Sequence, residues 1–213
     1  MECFFINNLD LKPSKTPFAD FKRLLNEEFL PADVLCISGI SADYEMARRF
    51  LVYLGQHYKN VLYVYGGCDM KSDMPLDLKF EKIKDSLRSF QKKLCTPTRL
   101  DGTVELINRH VFGGASGIDR SFCIKSWDWW TSDVNEIYND EVERFVRIFN
   151  YSPEVIVSYY DPRKMPDVKI NGKFWHYGQG KKSISENGDT ILINNSCLDK
   201  TKKYTKNDFL IKL

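Results

Sequence analysis

The stretch Asp33-Val34-Leu35-Cys36-Ile37-Ser38-Gly39-Ile40 decides the fold class. Its apolar run is unbroken from Val34 to Ile37, with Pro31 before it and Gly39 after it. A strand with one face in water alternates apolar and polar side chains, so an unbroken run reads as a strand covered on both faces. A second such run, Asn60-Val61-Leu62-Tyr63-Val64-Tyr65, closes at Gly66-Gly67, and a shorter one at residues 3–6 ends in Asn7-Asn8. Helical spacings lie between them. Phe18, Phe21, Leu24, Leu25 and Phe29 recur at three and four residues, as do Ala47, Phe50, Leu51, Leu54 and Tyr58. Ser41 offers an N-cap to the second helix, with Asp43 and Glu45 in its first turn. The order strand, helix, strand, helix, strand predicts a parallel sheet with helices on its faces.

Further along, Leu76, Phe80, Ile83, Leu87, Phe90 and Leu94 form another helical stripe, backed by Lys82, Lys84, Arg88, Lys92 and Lys93. That basic side reads as a solvated face. Past Pro97 the segments shorten to strands at 103–107 and 110–112, then a turn at Gly113-Gly114-Ala115-Ser116-Gly117. Tyr138, Val142, Phe145 and Phe149 define a helix opened by Asp133, with Glu136 at capping-box spacing. Residues 154–160, 173–177, 190–194 and 208–211 read as strands. No repeat, low-complexity tract or linker interrupts the chain, which predicts one domain over residues 1–213.

Composition narrows the function. The 213 residues are 43% hydrophobic and 14% aromatic, which excludes a disordered chain. Thirty-one Lys and Arg against 29 Asp and Glu leave a net charge of +2, too balanced to demand a polyanion. No apolar run approaches the roughly 20 residues needed to cross a bilayer. The start, Met1-Glu2-Cys3-Phe4, lacks the basic region of a signal peptide. Cys3, Cys36, Cys68, Cys95, Cys123 and Cys197 contain no Cys-x-x-Cys pair, the pattern of reduced thiols in a cytoplasmic protein. Only His57, His110 and His176 supply imidazoles.

The order of motifs at the strand ends resembles the calcineurin-like metallophosphoesterase family. The family signature runs Asp-x-His, Gly-Asp, Gly-Asn-His-Asp, a lone His, then Gly-His-x-His. Ile6-Asn7-Asn8-Leu9-Asp10 stands at the first motif, Ser38-Gly39-Ile40 at the second and Gly66-Gly67-Cys68-Asp69 at the third. Val157-Ser158-Tyr159-Tyr160 matches the frame of the fourth, and Trp175-His176-Tyr177-Gly178-Gln179-Gly180-Lys181 that of the fifth. Phe112-Gly113-Gly114-Ala115 and Asn187-Gly188-Asp189-Thr190 add to the likeness, which spans nearly the whole chain. It implies an α/β fold, a metallophosphoesterase-like sandwich of two mixed β-sheets flanked by helices, with its site at the carboxyl ends of strands.

The family's chemistry does not follow. Its two metal ions activate water and clamp a phosphate. At the ligand positions this chain has Asn8, Asp10, Ile40, Gly67, Cys68, Tyr159, Gln179 and Lys181, and keeps only Asp69, an orienting residue in the family. No metal and no cofactor are therefore expected. Lys181 places an ammonium where a cation would sit; it either pairs with Asp10 or Asp69 or points into solvent. A rebuilt one-metal site from Asp10, Cys68, Asp69 and Asp161 mixes hard and soft donors beside a lysine, a poor set for any one metal. Cys68 as a nucleophile lacks a histidine partner, and a buried inert thiol is the plainer reading. The Gly113–Gly117 run lacks the lysine of a phosphate loop.

Two surface features remain. Trp127, Trp129 and Trp130 fall within four residues and cannot all face one core. Arg163, Lys164, Lys169, Lys173, Lys181 and Lys182 face a single acid, Asp167, in the same span. Anchoring tryptophans beside steering cations suit a protein partner or an anionic ligand. The expected function is thus a catalytically inactive relative that binds at a remodelled face, through Trp127, Trp129, Trp130, Arg163, Lys164, Gln179, Lys181 and Lys182. One alternative is a divergent phosphoesterase rebuilt around Asp10, Asp69 and Lys181. Another is a nucleotide- or nucleic-acid-binding module that uses the tryptophans and the basic rim. No membrane association is expected.

Overall fold

Strand β1 (Glu2–Asp10) pairs in parallel with β2 (Val34–Ser41), and β2 with β3 (Asn60–Val64), as the three apolar runs predict. The computed structural model describes residues 1–11, 16–41, 44–64, 97–100, 102–116, 134–178, 181–197, 199 and 203–213. A short parallel strand β4 (Thr98–Arg99) and an antiparallel β11 (Leu210–Lys212) complete a sheet ordered β11-β1-β2-β3-β4. Residues 34–40 are buried throughout, the signature of a strand covered on both faces.

Helix α1 (Pro17–Glu28) opens on a proline whose fixed φ suits the first helical position. Its last carbonyls, lacking helical partners, accept from the Lys206 ammonium: Asn26 at 3.2 Å, Glu27 at 3.4 Å, with Phe29 just beyond at 3.2 Å. Helix α2 (Tyr44–Leu54) packs beside it through Phe21 and Phe50, whose ring centroids lie 5.0 Å apart. Two local expectations fail here. Ser41 ends β2, opposite Asp10 of β1, because sheet pairing outweighs its capping propensity. Tyr58 lies past the helix end, its hydroxyl donating to the Leu30 carbonyl at 2.8 Å.

The second sheet is ordered β5-β6-β7-β8-β10-β9, from strands β5 (Thr103–Ile107), β6 (His110–Gly114), β7 (Val155–Val157), β8 (Phe174–His176), β9 (Ser183–Asn187) and β10 (Thr190–Asn194). Its four central strands run parallel and both edge strands antiparallel. The β5–β6 hairpin turns through Asn108 and Arg109, both left-handed, as a two-residue loop requires. The expected turn at Gly113-Gly114 is instead strand. A Cβ on Gly113 would collide with Ile148 Cγ2, and one on Gly114 would lie 2.7 Å from Leu100 Cβ and 2.9 Å from Val64 Cγ1. These glycines let a helix and the first sheet close on β6 from opposite sides.

The pleat sorts the core into layers. Val155, Val157, Phe174 and Ile193 point into a core shared with the first sheet, while Ile156, Trp175 and Leu192 face helix α3 (Val134–Phe149) through Tyr138, Phe145 and Ile148. On β1, Phe4 faces Phe29 beyond α1, and Phe5 faces His176 of the second sheet. The architecture is an α/β sandwich of two mixed sheets flanked by helices. The stripe at residues 76–94, Asp133 and Gly66-Gly67 lie outside the described residues.

Candidate functional site

Open α/β sheets place ligands beyond the carboxyl ends of their parallel strands. At those ends this chain changes from apolar to small polar residues: Ile6 to Asn7, Ile37 to Ser38, Val157 to Ser158, Ile193 to Asn194-Asn195-Ser196. All of these polar residues are buried. Burial of unpaired amides and hydroxyls is costly, so their partners define the site.

The partners of Asn7, Ser38 and Asn195 come from the opposite sheet, and those of the Ser158 hydroxyl from its own. The Asn7 side-chain amide donates to Asn194 Oδ1 at 2.9 Å and to the Tyr177 carbonyl at 2.8 Å. Asn195 Nδ2 donates to the Phe5 carbonyl at 2.7 Å. The backbones of Asn7 and Asn195 bond directly at 3.1 Å, and Cys197 N–H returns to the Asn7 carbonyl at 3.1 Å. The Ser38 hydroxyl donates to the Ser158 carbonyl in a short hydrogen bond. Ser158 Oγ donates to the Tyr160 carbonyl at 2.9 Å and accepts from Trp175 Nε1 at 2.8 Å. Gly178 N–H meets the Tyr159 carbonyl at 2.8 Å, and a Cβ there would lie 2.8 Å from Tyr159 Cδ2 and 3.1 Å from Ser38 Oγ. Neutral groups stitch the two sheets together at this end.

A dinuclear metal centre does not fit this donor set. Ile40 is fully buried and has no donor atom; Tyr159 is nearly buried, its ring against Gly178 and edge-on to Tyr160 at 5.0 Å; Lys181 is exposed. Among the described residues no three His, Cys, Asp or Glu side chains gather. Asp10 closes β1. The side chains of Asn8 and Asp10, and all of Gly67, Cys68, Asp69, Trp127, Trp129, Trp130 and Gln179, lie outside what the structure describes. The imidazoles are dispersed: His57 packs at a tilt against Tyr53 with centroids 4.6 Å apart, His110 Nδ1 meets Glu154 Oε2 at 2.6 Å, and His176 is buried between the sheets.

Asp161 also leaves the proposed one-metal set. Its Oδ1 accepts from Arg163 Nε at 2.8 Å and from the Arg163 amide at 3.0 Å, and its Oδ2 from Nη2 at 2.7 Å. The same Nη2 donates to the Tyr177 hydroxyl at 3.0 Å, which bonds Ser183 Oγ at 3.2 Å. The hydrogen bond to Asp161 holds the Arg163 guanidinium above its ordinary value. This chain of contacts brings Arg163, in the Pro162–Lys164 turn, to Ser183, the residue after Lys182, and makes a corner there. Lys182 is fixed by its amide, which donates to Asp199 Oδ2 at 2.8 Å. Lys173 is not part of this corner; its ammonium pairs with Glu154 at 3.5 Å, near His110 at the start of β6.

Sequence reasoning missed Asn7, Ser38, Ser158, Asn194 and Asn195 as one cluster. The available signal was a small polar residue directly after each apolar run. Comparison with protein-family models and with curated proteins finds no match for this chain. No helix among the described residues is long and apolar enough to cross a membrane.

Proposed function

We propose that this chain is a non-catalytic, metallophosphoesterase-like binding protein whose remodelled carboxyl-end face holds an acidic protein partner or an anionic ligand. One observation carries the reading: where the resembled family gathers metal ligands, the two sheets are bonded to each other through Asn7, Asn194, Asn195, Ser38 and Ser158. What a metal pair would tie, neutral amides and hydroxyls tie here. The function then rests on the surface around that seam, where Lys164 and Lys181 are exposed and Lys182 partly so. Arg163 serves as their organiser, since Asp161 already offsets its charge. The tryptophans of the 127–130 segment supply apolar anchors in this reading. The buried, reduced thiols of Cys3 and Cys36 suit a reducing cytoplasm.

The test uses a polyglutamate peptide and inorganic phosphate as probes, with a generic phosphodiester plus Mn²⁺ for turnover and an oligonucleotide for comparison. The reading expects salt-sensitive binding of an acidic probe, weakened by Lys181→Glu and Lys182→Glu, with no turnover. Turnover above the metal-only rate, or binding of the oligonucleotide alone, would replace it with one of the alternatives.

A further inference from the structure

His176 is fully buried at the centre of the inter-sheet seam. Its Nε2 lies 3.2 Å from the Ile6 carbonyl of β1, and its Nδ1 lies 3.3 Å from the Ile193 carbonyl of β10. The ring rests on Phe5, centroids 5.2 Å apart. A neutral imidazole has one N–H, so it donates to one of these carbonyls and turns a lone pair toward the other. The groups facing it are neutral. On β1 they are Phe5 and Ile6; on β7, Val157 in register with it; on β10, Ile193. On β2 the residue in register with Phe5 is Cys36, whose thiol burial pushes well above its ordinary value, and burial pushes Cys3 up to about 12. Among the described residues no carboxylate reaches the ring to offset an imidazolium.

We propose that His176 is an acid-sensitive latch between the two sheets. When the ring takes a second proton, an unpaired cation must leave the interface, and the carboxyl ends of β1 and β10 part. Burial lowers the imidazole from 6.5 to about 4, against the pull of the two carbonyls. A depressed folded value means that the unfolded chain binds the proton first. The latch is therefore fully closed above about pH 6.5 and loosens as pH falls toward 4. The opening reaches the basic corner, because the Tyr177 amide shares the Ile193 carbonyl at 2.9 Å while the Tyr177 hydroxyl holds Arg163.

Urea unfolding of the full chain tests this, with His176→Gln as an uncharged replacement and His110→Gln as the control for the half-buried His110–Glu154 pair. Between pH 7.5 and 5.0 the parent's unfolding constant is expected to rise roughly thirtyfold more than that of His176→Gln. Equal pH dependence in the two proteins overturns the proposal. A second readout needs no variant: the ring resonances of His176 in the folded parent stay those of neutral imidazole down to pH 5. The protection factors of the Asn7 and Tyr177 amides, which divide out the intrinsic pH dependence of exchange, fall over the same interval. A ring that titrates near 6.5 with those amides still protected contradicts the latch.

Discussion

The side chains of Asn7 and Asn194, 187 residues apart in sequence, bond at 2.9 Å across the carboxyl ends of two different sheets. Asn194 ends β10, Asn7 follows the apolar run of β1, and neither carries charge. A metal centre would need carboxylates and imidazoles on such strand ends, held apart by the ions they bind. Direct amide-to-amide contact leaves no such gap between these two.

The first prediction concerns that contact. Asn7→Ala leaves the buried Asn194 oxygen and Tyr177 carbonyl without this donor, at a cost of about 1–3 kcal/mol. Asn194→Ala removes the shared bond as well, so the double variant should lose less than the two single losses added together. Chemical denaturation of the four proteins measures the coupling; strict additivity would mean that the bond does not tie the sheets.

Ile40 tests the same region by charge. It is fully buried, so Ile40→Asp places a carboxylate in an apolar core, costing several kcal/mol or raising the acid's own titration. We expect a less stable protein with no gain of phosphoesterase activity. A variant as stable as its parent that also binds Mn²⁺ would sink this account of the site.

Close packing gives a third expectation. Gly178→Ala sets a methyl 2.8 Å from the Tyr159 ring, and Gly114→Ala sets one against Leu100 and Val64. Each should cost about 1–3 kcal/mol as overpacking. Gly188→Ala meets nothing within 4 Å and pays only for its left-handed backbone, φ 57, about 1 kcal/mol. Thermal denaturation should rank Gly188→Ala as the mildest of the three.

The strands were legible wherever burial on both faces left an unbroken apolar run, as at Val34–Ile37 and Val61–Val64. They were illegible where tertiary contact, and not composition, made the strand. Gly113 and Gly114 read as turn residues until Ile148 and Leu100 are seen pressing on them. Strand β9 hides in Ser183-Ile184-Ser185-Glu186-Asn187, a polar edge whose pairing to β10 sets its structure. The basic rim was legible as a count of lysines. Its true charge was not, because Asp161, two residues before Arg163, closes on that guanidinium through a tight turn.

For the rim, Lys182→Glu should slow association with an acidic peptide and steepen no other property, while Arg163→Ala should also loosen the Tyr177–Ser183 corner. Stopped-flow binding at several salt concentrations separates the two. Truncating an anchor in the 127–130 segment, as in Trp129→Ala or Trp130→Ala, should cost about 2 kcal/mol or more of affinity, read mainly in dissociation. Unchanged binding by all of these variants would place the working surface elsewhere.

The central claim is that polar side chains, and not metal ions, join the carboxyl ends of the two sheets. Elemental analysis of protein purified from Mn-, Fe- and Zn-supplemented culture tests it most directly. The account predicts no stoichiometric transition metal and a denaturation midpoint unmoved by chelator. A full equivalent of metal whose removal lowers that midpoint would contradict it.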